Sequence, residues 1–155
     1  MIINTNTIIE NLISQTFALD KYKKIIESVK QVNVSTDMEF QKTFNHFYKV
    51  RRNEQWRKAY YDLFEECKNN SDLKFEDIIT NLYKNTNQIE ASFSSKLLAT
   101  INPNMPIWDQ YVLLNLNLQL IGKTKDERLI NAISLYSDII KWYKDFRQRI
   151  MQKNV

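Results

Sequence analysis

Residues 53–67 read NEQWRKAYYDLFEEC, and their large apolar side chains recur at the spacing of a buried helix face. The recurring positions are Trp56, Tyr60, Leu63, Phe64 and Cys67. Because an α-helix turns once in about 3.6 residues, these side chains fall on one side of it. The segment therefore predicts a helix packed through this face, with Cys67 as a core residue rather than a reactive thiol.

The same spacing recurs before and after this segment. The preceding helix would bury Phe40, Phe44, Phe47 and Tyr48, and the following one Phe75, Ile78, Ile79, Leu82 and Tyr83. A long last helix is predicted from Lys125 to about Met151, with Leu129, Ile133, Tyr136, Ile140 and Tyr143 on its packed side. With one glycine and two prolines in 155 residues, the chain is predicted to be all-α, a single compact domain over 1–155 with about eight helices.

Three helix starts are marked by a Ser/Thr-x-x-Glu pattern, in which the hydroxyl and the carboxylate bind free N–H groups reciprocally. The pairs are Thr7 with Glu10, Thr36 with Glu39, and Thr124 with Glu127. Each threonine is therefore expected immediately before a helix.

Composition excludes several classes of site. A single glycine excludes glycine-rich phosphate loops, and one cysteine excludes an internal disulfide or a cluster of cysteine ligands. One histidine excludes zinc chemistry that needs two imidazoles. We therefore expect no metal and no cofactor. Without a basic leader or an apolar run of membrane length, we also expect a cytoplasmic protein with no membrane contact.

Basic residues are concentrated in two stretches. Residues 41–60 carry six basic side chains against one acidic, and residues 141–155 carry five against one. Such segregation indicates an anionic partner such as nucleic acid, although a solvated lysine-rich face is an equally good interpretation.

Residues 89–112, IEASFSSKLLATINPNMPIWDQYV, contain both prolines and differ from the rest of the chain. Lys96 stands in an apolar register, where partial desolvation lowers the pKa of an ammonium group. Asp109 stands where the next helix should begin, so a turn between two helices would bring Lys96 and Asp109 close together. A desolvated lysine can act as a nucleophile beside a carboxylate, but a structural ion pair is the more common role of such a pair.

The pattern Phe93-x-x-Lys96-Leu-Leu followed by Pro106-Ile107-x-Asp109-x-x-Val112 resembles the catalytic segment of the helix-hairpin-helix DNA glycosylase superfamily. The likeness is greatest to its compact bacterial branch with an 8-oxoguanine-glycosylase-like fold. It implies a helix-turn-helix catalytic segment at 88–121, with Lys96 as the Schiff-base nucleophile. Asp109 would be the carboxylate that assists departure of the base. The implied activity is removal of a damaged or modified base in DNA repair, with or without cleavage of the abasic strand.

The family's hairpin usually has glycines where this chain has Ser92 and Ser94, whose N–H groups would contact a DNA phosphate. Trp108, Phe93 and Tyr111 are the aromatic candidates for the pocket of a flipped base, although core packing is the more common role of such residues. Double-stranded DNA is the implied partner. Its phosphates would be bound by Lys49, Arg51, Arg52, Arg57, Lys58, Arg147 and Arg149. The alternative is a helical interaction or nucleic-acid-binding protein without chemistry, phage or defence associated, in which Lys96 and Asp109 form a structural ion pair.

Overall fold

The computed structural model describes residues 5–154, without the side chains at 5, 7–9, 11 and 12. Within these residues the chain is all-helical and contains no strand, as predicted. Its seven helices are α1 (Thr5–Ser28), α2 (Met38–Phe47), α3 (Glu54–Cys67), α4 (Phe75–Thr86), α5 (Ala91–Ile101), α6 (Gln110–Asn115) and α7 (Lys125–Lys153). None of the described helices is both long and apolar enough to cross a bilayer.

Contacts along the chain cluster into two compact units, Met1–Lys68 and Asn69–Val155. The expectation of a single domain over 1–155 stays a prediction.

The first unit, built from α1 to α3, is organised around aromatic side chains. Phe44 and Phe64 are fully buried and meet edge to face, with ring centroids 5.5 Å apart. Trp56 stacks on Tyr60 at 4.9 Å, as expected for neighbours on one helix face. The predicted face of α3 is therefore confirmed at Trp56, Tyr60, Leu63 and Phe64, whereas Cys67 is only half-buried.

An ion pair between Lys68 and Glu65 links the end of α3 to the connection between α1 and α2. The Lys68 ammonium contacts the Glu65 carboxylate at 2.7 Å and donates to the Val32 carbonyl at 2.7 Å. The other Glu65 oxygen accepts the Val34 N–H at 2.7 Å. Burial of the Lys68 charge is thus accompanied by direct partners, as a buried charge requires.

The second unit, built from α4 to α7, has an aromatic stack in its core. The Phe75 ring lies between Trp108 and Tyr136, at centroid distances of 6.3 Å and 4.0 Å. The Tyr136 hydroxyl donates to the Pro106 carbonyl at 2.7 Å. This contact ties the turn after α5 to the long helix α7, and burial raises the pKa of the Tyr136 hydroxyl.

Helix α7 begins as the sequence predicts, and the other two predicted starts do not hold. Thr124 is the N-cap of α7 and accepts the Glu127 N–H at 3.1 Å. At α2 the cap is Asp37, which accepts the Phe40 N–H at 2.8 Å, so the helix starts one residue later than Thr36 implies. Thr7 lies inside α1.

Two further expectations need correction. The helix after the turn that contains Pro103 and Pro106 is predicted to extend toward Ile121, but α6 ends at Asn115 because Asn117 adopts a left-handed conformation with φ 53°. The described residues form seven helices, close to the predicted number of about eight. The packed face of α7 is also rotated from the predicted one, since its buried residues are Ala132, Leu135, Tyr136 and Ile139.

Candidate active site

Lys96 lies in the middle of α5 and is half-buried among apolar neighbours. Its ammonium group stands over the Phe93 ring, 4.7 Å from the centroid, because residues three apart share a helix face. Burial lowers the pKa of the Lys96 ammonium, and the Asp109 carboxylate offsets part of this effect by raising it. The net pKa is below that of a free lysine, so the neutral amine is more accessible here than on an open surface.

Asp109 is exposed and is the N-cap of α6. Its Oδ1 atom accepts the Tyr111 N–H at 2.6 Å, which fixes the direction of the carboxylate. The Asp109 carboxylate interacts electrostatically with the Lys96 ammonium, and their close approach across the turn stays a prediction. One group is partly desolvated and the other faces solvent, so the pair lies at the protein surface rather than sealed in the core.

Ser95 positions this pair, and no sequence pattern marks it. Its hydroxyl donates to the Ser92 carbonyl at 2.8 Å and accepts the Trp108 N–H at 2.8 Å. The Ser95 side chain is fully buried. A single hydroxyl therefore joins α5, one residue before Lys96, to the backbone one residue before Asp109.

The two serines predicted to contact a phosphate lie within α5 itself. The Ser94 N–H donates to the Glu90 carbonyl at 2.9 Å and so already has a helical partner. Its hydroxyl is fully buried and has no hydrogen-bond partner among the described residues. Ser92 is half-buried in the first turn of the helix, where N–H groups lack partners within the helix.

The three predicted aromatic residues have different environments. Trp108 is buried in the stack with Phe75, so its ring is a core element and does not line an open pocket. Phe93 is half-buried beneath the Lys96 ammonium. Tyr111, on α6 next to the Asp109 cap, has 76% of its surface exposed and is the aromatic residue that solvent reaches most readily.

The predicted phosphate-binding residues fall in different units, five in the first and two in the second. In the first unit Lys49, Arg51, Arg52 and Lys58 are exposed. The Arg52 guanidinium lies 5.3 Å from the centre of the Trp56 ring, and Lys58 forms an ion pair with Asp62 at 2.7 Å. The half-buried Arg57 lowers the pKa of the Tyr61 hydroxyl, but burial of this hydroxyl has the larger effect and raises it.

The two arginines of the second unit lie on α7. Arg147 donates to the Asn104 side chain at 3.3 Å and lies over the Tyr143 ring, at 5.8 Å from its centroid. Arg149 is exposed. Arg147 is thus held against the turn that follows α5, the same turn that leads to Asp109.

Within residues 5–154, His, Cys, Asp and Glu side chains form no group of three or more that could hold a metal ion. The chain matches no protein-family model, no curated protein and no solved structure. Functional interpretation therefore depends on the chemistry of the Lys96 site.

Proposed function

We propose that the protein is a DNA glycosylase that uses Lys96 as a Schiff-base nucleophile and Asp109 as the assisting carboxylate. The observation that carries the proposal is a half-buried amine, whose pKa is lowered by burial, in electrostatic interaction with an exposed carboxylate beyond one turn. A lysine is nucleophilic only as the neutral amine, and desolvation favours that form. The resemblance of residues 89–112 to glycosylase catalytic segments supports the same assignment.

The reaction would begin with a base that has left the duplex stack. The neutral Lys96 amine forms a bond to C1′ while the glycosidic bond breaks, and the base leaves with its electron pair and takes up a proton. Asp109 accepts the proton released by the attacking amine and stabilises positive charge on the sugar. The C1′–O4′ bond then opens, O4′ takes up a proton, and the nitrogen lone pair completes the Schiff base.

The alternative function is a binding module without chemistry. It is favoured by the structural roles of Asp109 and Trp108. Asp109 caps α6, and Trp108 is part of the core stack. In that interpretation the carboxylate balances a half-buried lysine and fixes the turn. The two functions differ in one respect, namely whether the Lys96 nitrogen ever becomes bonded to a sugar carbon.

Borohydride trapping separates them. The protein is incubated with duplexes that contain an abasic site or 8-oxoguanine, and sodium cyanoborohydride reduces any Schiff base to a stable amine. We expect a covalent protein–DNA adduct with the native chain. The adduct should be lost in Lys96→Gln and retained in Lys84→Gln, which removes an exposed lysine from α4.

Circular dichroism and thermal unfolding would establish that Lys96→Gln is folded. An adduct of unchanged yield in folded Lys96→Gln would disprove the assignment of the nucleophile. Absence of any adduct with the native protein, on both substrates, would favour the binding module.

A further inference from the structure

The C-terminal part of α7 exposes a row of large apolar side chains. Trp142, Phe146 and Ile150 are 38%, 45% and 45% exposed, and the rings of Trp142 and Phe146 stack at 5.3 Å. Because they are four residues apart, they form a stripe along one side of the helix. The stripe continues the face on which Ile139 is fully buried, so the packed side of α7 extends into solvent for about three more turns.

Four charged residues line one edge of this stripe. They are Asp138, Asp145, Arg149 and Lys153, which fall within one sector of the helix at about 100° per residue. All four are exposed, and none of their side chains forms an ion pair or hydrogen bond within the described part of the chain. The acids lie toward the N-terminal end of the stripe and the bases toward its C-terminal end.

An edge with this order of charges is complementary to itself when two copies run antiparallel. A two-fold axis beside Phe146 sets Phe146 against the same residue of the second copy, and Trp142 against Ile150 at equal height. With a rise of about 1.5 Å per residue, Asp138 lies about 1.5 Å along the axis from the second copy's Lys153. Asp145 lies about 3 Å along the axis from the second copy's Arg149.

The symmetry also brings the charged edges together. A two-fold axis perpendicular to both helices keeps each edge on its own side, so the edge of one copy faces the same edge of the other. Asp138 of each copy then lies near the second copy's Lys153, whereas Asp145 is about 3 Å along the axis both from the second copy's Arg149 and from its Asp145. In a parallel arrangement the two-fold axis runs along the helices and places the charged edges of the two copies on opposite sides of the contact, so these charges can pair across it only in the antiparallel direction.

We propose that residues 138–153 of α7 form a two-fold symmetric, antiparallel contact with a second copy of the chain. The balance of charge along the stripe favours a second copy over an anionic lipid or nucleic-acid surface. The unbalanced bases Lys141 and Lys144 lie on the far side of the helix, and Arg147 is bound to Asn104. The contact is independent of the chemistry proposed for Lys96.

The size of the contact sets the concentration at which it forms. Three or four turns of helix from each copy bury less than about 1,200 Å² in total, at the small end of specific interfaces. We therefore expect a dimer with a dissociation constant in the micromolar range. Sedimentation equilibrium of the full chain between about 10 and 500 µM would measure it.

Charge exchange tests the arrangement. Asp145→Lys and Arg149→Asp should each weaken dimerisation by about tenfold, because each places like charges opposite one another. The double variant carries both changes and restores opposite charges, so its dissociation constant should return to within about threefold of the native value. Lys141→Asp, on the opposite side of the helix, is the matched control and should leave the dimer unchanged.

Disulfide trapping tests the register. In a Cys67→Ser background, Phe146→Cys should form a disulfide-linked dimer under mild oxidation, and Lys141→Cys should not. A chain that is monomeric at 500 µM would overturn the proposal. A dimer that is equally stable in both single charge variants, or that crosslinks equally at both positions, would overturn it as well.

Discussion

At the scale of single residues, adjacent serines on α5 have opposite energetic roles. The buried Ser95 hydroxyl forms two hydrogen bonds, one to the Ser92 carbonyl and one from the Trp108 N–H. The equally buried Ser94 hydroxyl forms no hydrogen bond within the described part of the chain. A buried polar group without a partner retains its desolvation cost, whereas removing a bonded hydroxyl leaves its former partners unpaired.

Alanine at these two positions should therefore shift stability in different directions. Ser95→Ala should lower the free energy of unfolding by about 1–3 kcal/mol, because it leaves the buried Trp108 N–H without its hydrogen-bond acceptor. Ser94→Ala should be neutral or raise it by up to about 1 kcal/mol. Urea unfolding of the two variants against the native chain measures both changes, and an equal loss of stability in both would contradict the assignment.

The lowered pKa of Lys96 predicts how trapping depends on pH. Only the neutral amine attacks, so the trapping rate should rise with pH and level off through an inflection below the ordinary lysine value of 10.5. The Asp109 charge raises this pKa, so Asp109→Asn should move the inflection to lower pH even if it slows the reaction. The single-turnover rate of adduct formation between pH 6 and 10 measures both. An inflection that moves upward in Asp109→Asn would contradict the coupling.

At the scale of elements, helix starts depend on which side chain reaches the free N–H groups. Thr124 caps α7, and Glu127 accepts the Lys123 N–H at 2.8 Å, close to the reciprocal pattern expected. At α2, Asp37 caps the helix instead, and Glu39 pairs with Lys24 at 2.8 Å. The same sequence pattern therefore has a capping function at one site and not at the other.

Removal of each hydroxyl distinguishes the two sites. Thr124→Ala should lower the free energy of unfolding by about 1 kcal/mol, the usual cost of losing an N-cap. Thr36→Ala, the matched substitution, should change it by no more than about 0.5 kcal/mol, because Asp37 retains its bond to the Phe40 N–H. Thermal or urea unfolding reports both values. A larger loss at Thr36 would mean that its hydroxyl, and not the Asp37 carboxylate, governs the start of α2.

Local patterns predicted most of the helices, because apolar spacing and caps act over a few residues. The face of α3 follows directly from Trp56, Tyr60 and Phe64. Helix α7 has apolar residues around much of its circumference, so its packed face is set by tertiary contact through Leu135 and Ile139 and could not be read from spacing. Similarly, no local pattern marks Asn117 as the left-handed residue that follows the short α6.

The candidate site was predicted in part for the same reason. Lys96 and Asp109 are 13 residues apart, and both prolines lie in the turn between α5 and α6, so their approach is expected from the sequence. The Ser95 contact to Trp108 spans the same distance but depends on atomic positions in both segments. The burial of Trp108 likewise depends on Phe75, which is remote in sequence. Contacts of this kind are fixed by the tertiary structure and leave no local signal.

At the scale of the whole molecule, the DNA hypothesis requires basic side chains that contact phosphates, a requirement separate from the chemistry of Lys96. The basic stretches at 41–60 and 141–155 belong to different units of the chain. Each side chain that neutralises a phosphate releases a counterion, so duplex binding must weaken steeply as salt rises. The dependence of duplex affinity on salt concentration therefore gives the number of phosphate contacts, whether or not catalysis takes place.

We expect the logarithm of the affinity for a duplex to fall linearly with the logarithm of salt concentration. Arg51→Gln should reduce the slope by about 0.9, the value for one phosphate contact, and weaken binding to all duplex sequences alike. Lys23→Gln removes an exposed positive charge of the same unit outside the basic stretch, so it is the matched control. Fluorescence anisotropy at several salt concentrations gives each slope. If Arg51→Gln and Lys23→Gln reduce the slope equally, the 41–60 stretch has no specific part in binding, because only the net charge would matter. A native slope near zero would exclude duplex DNA as the partner.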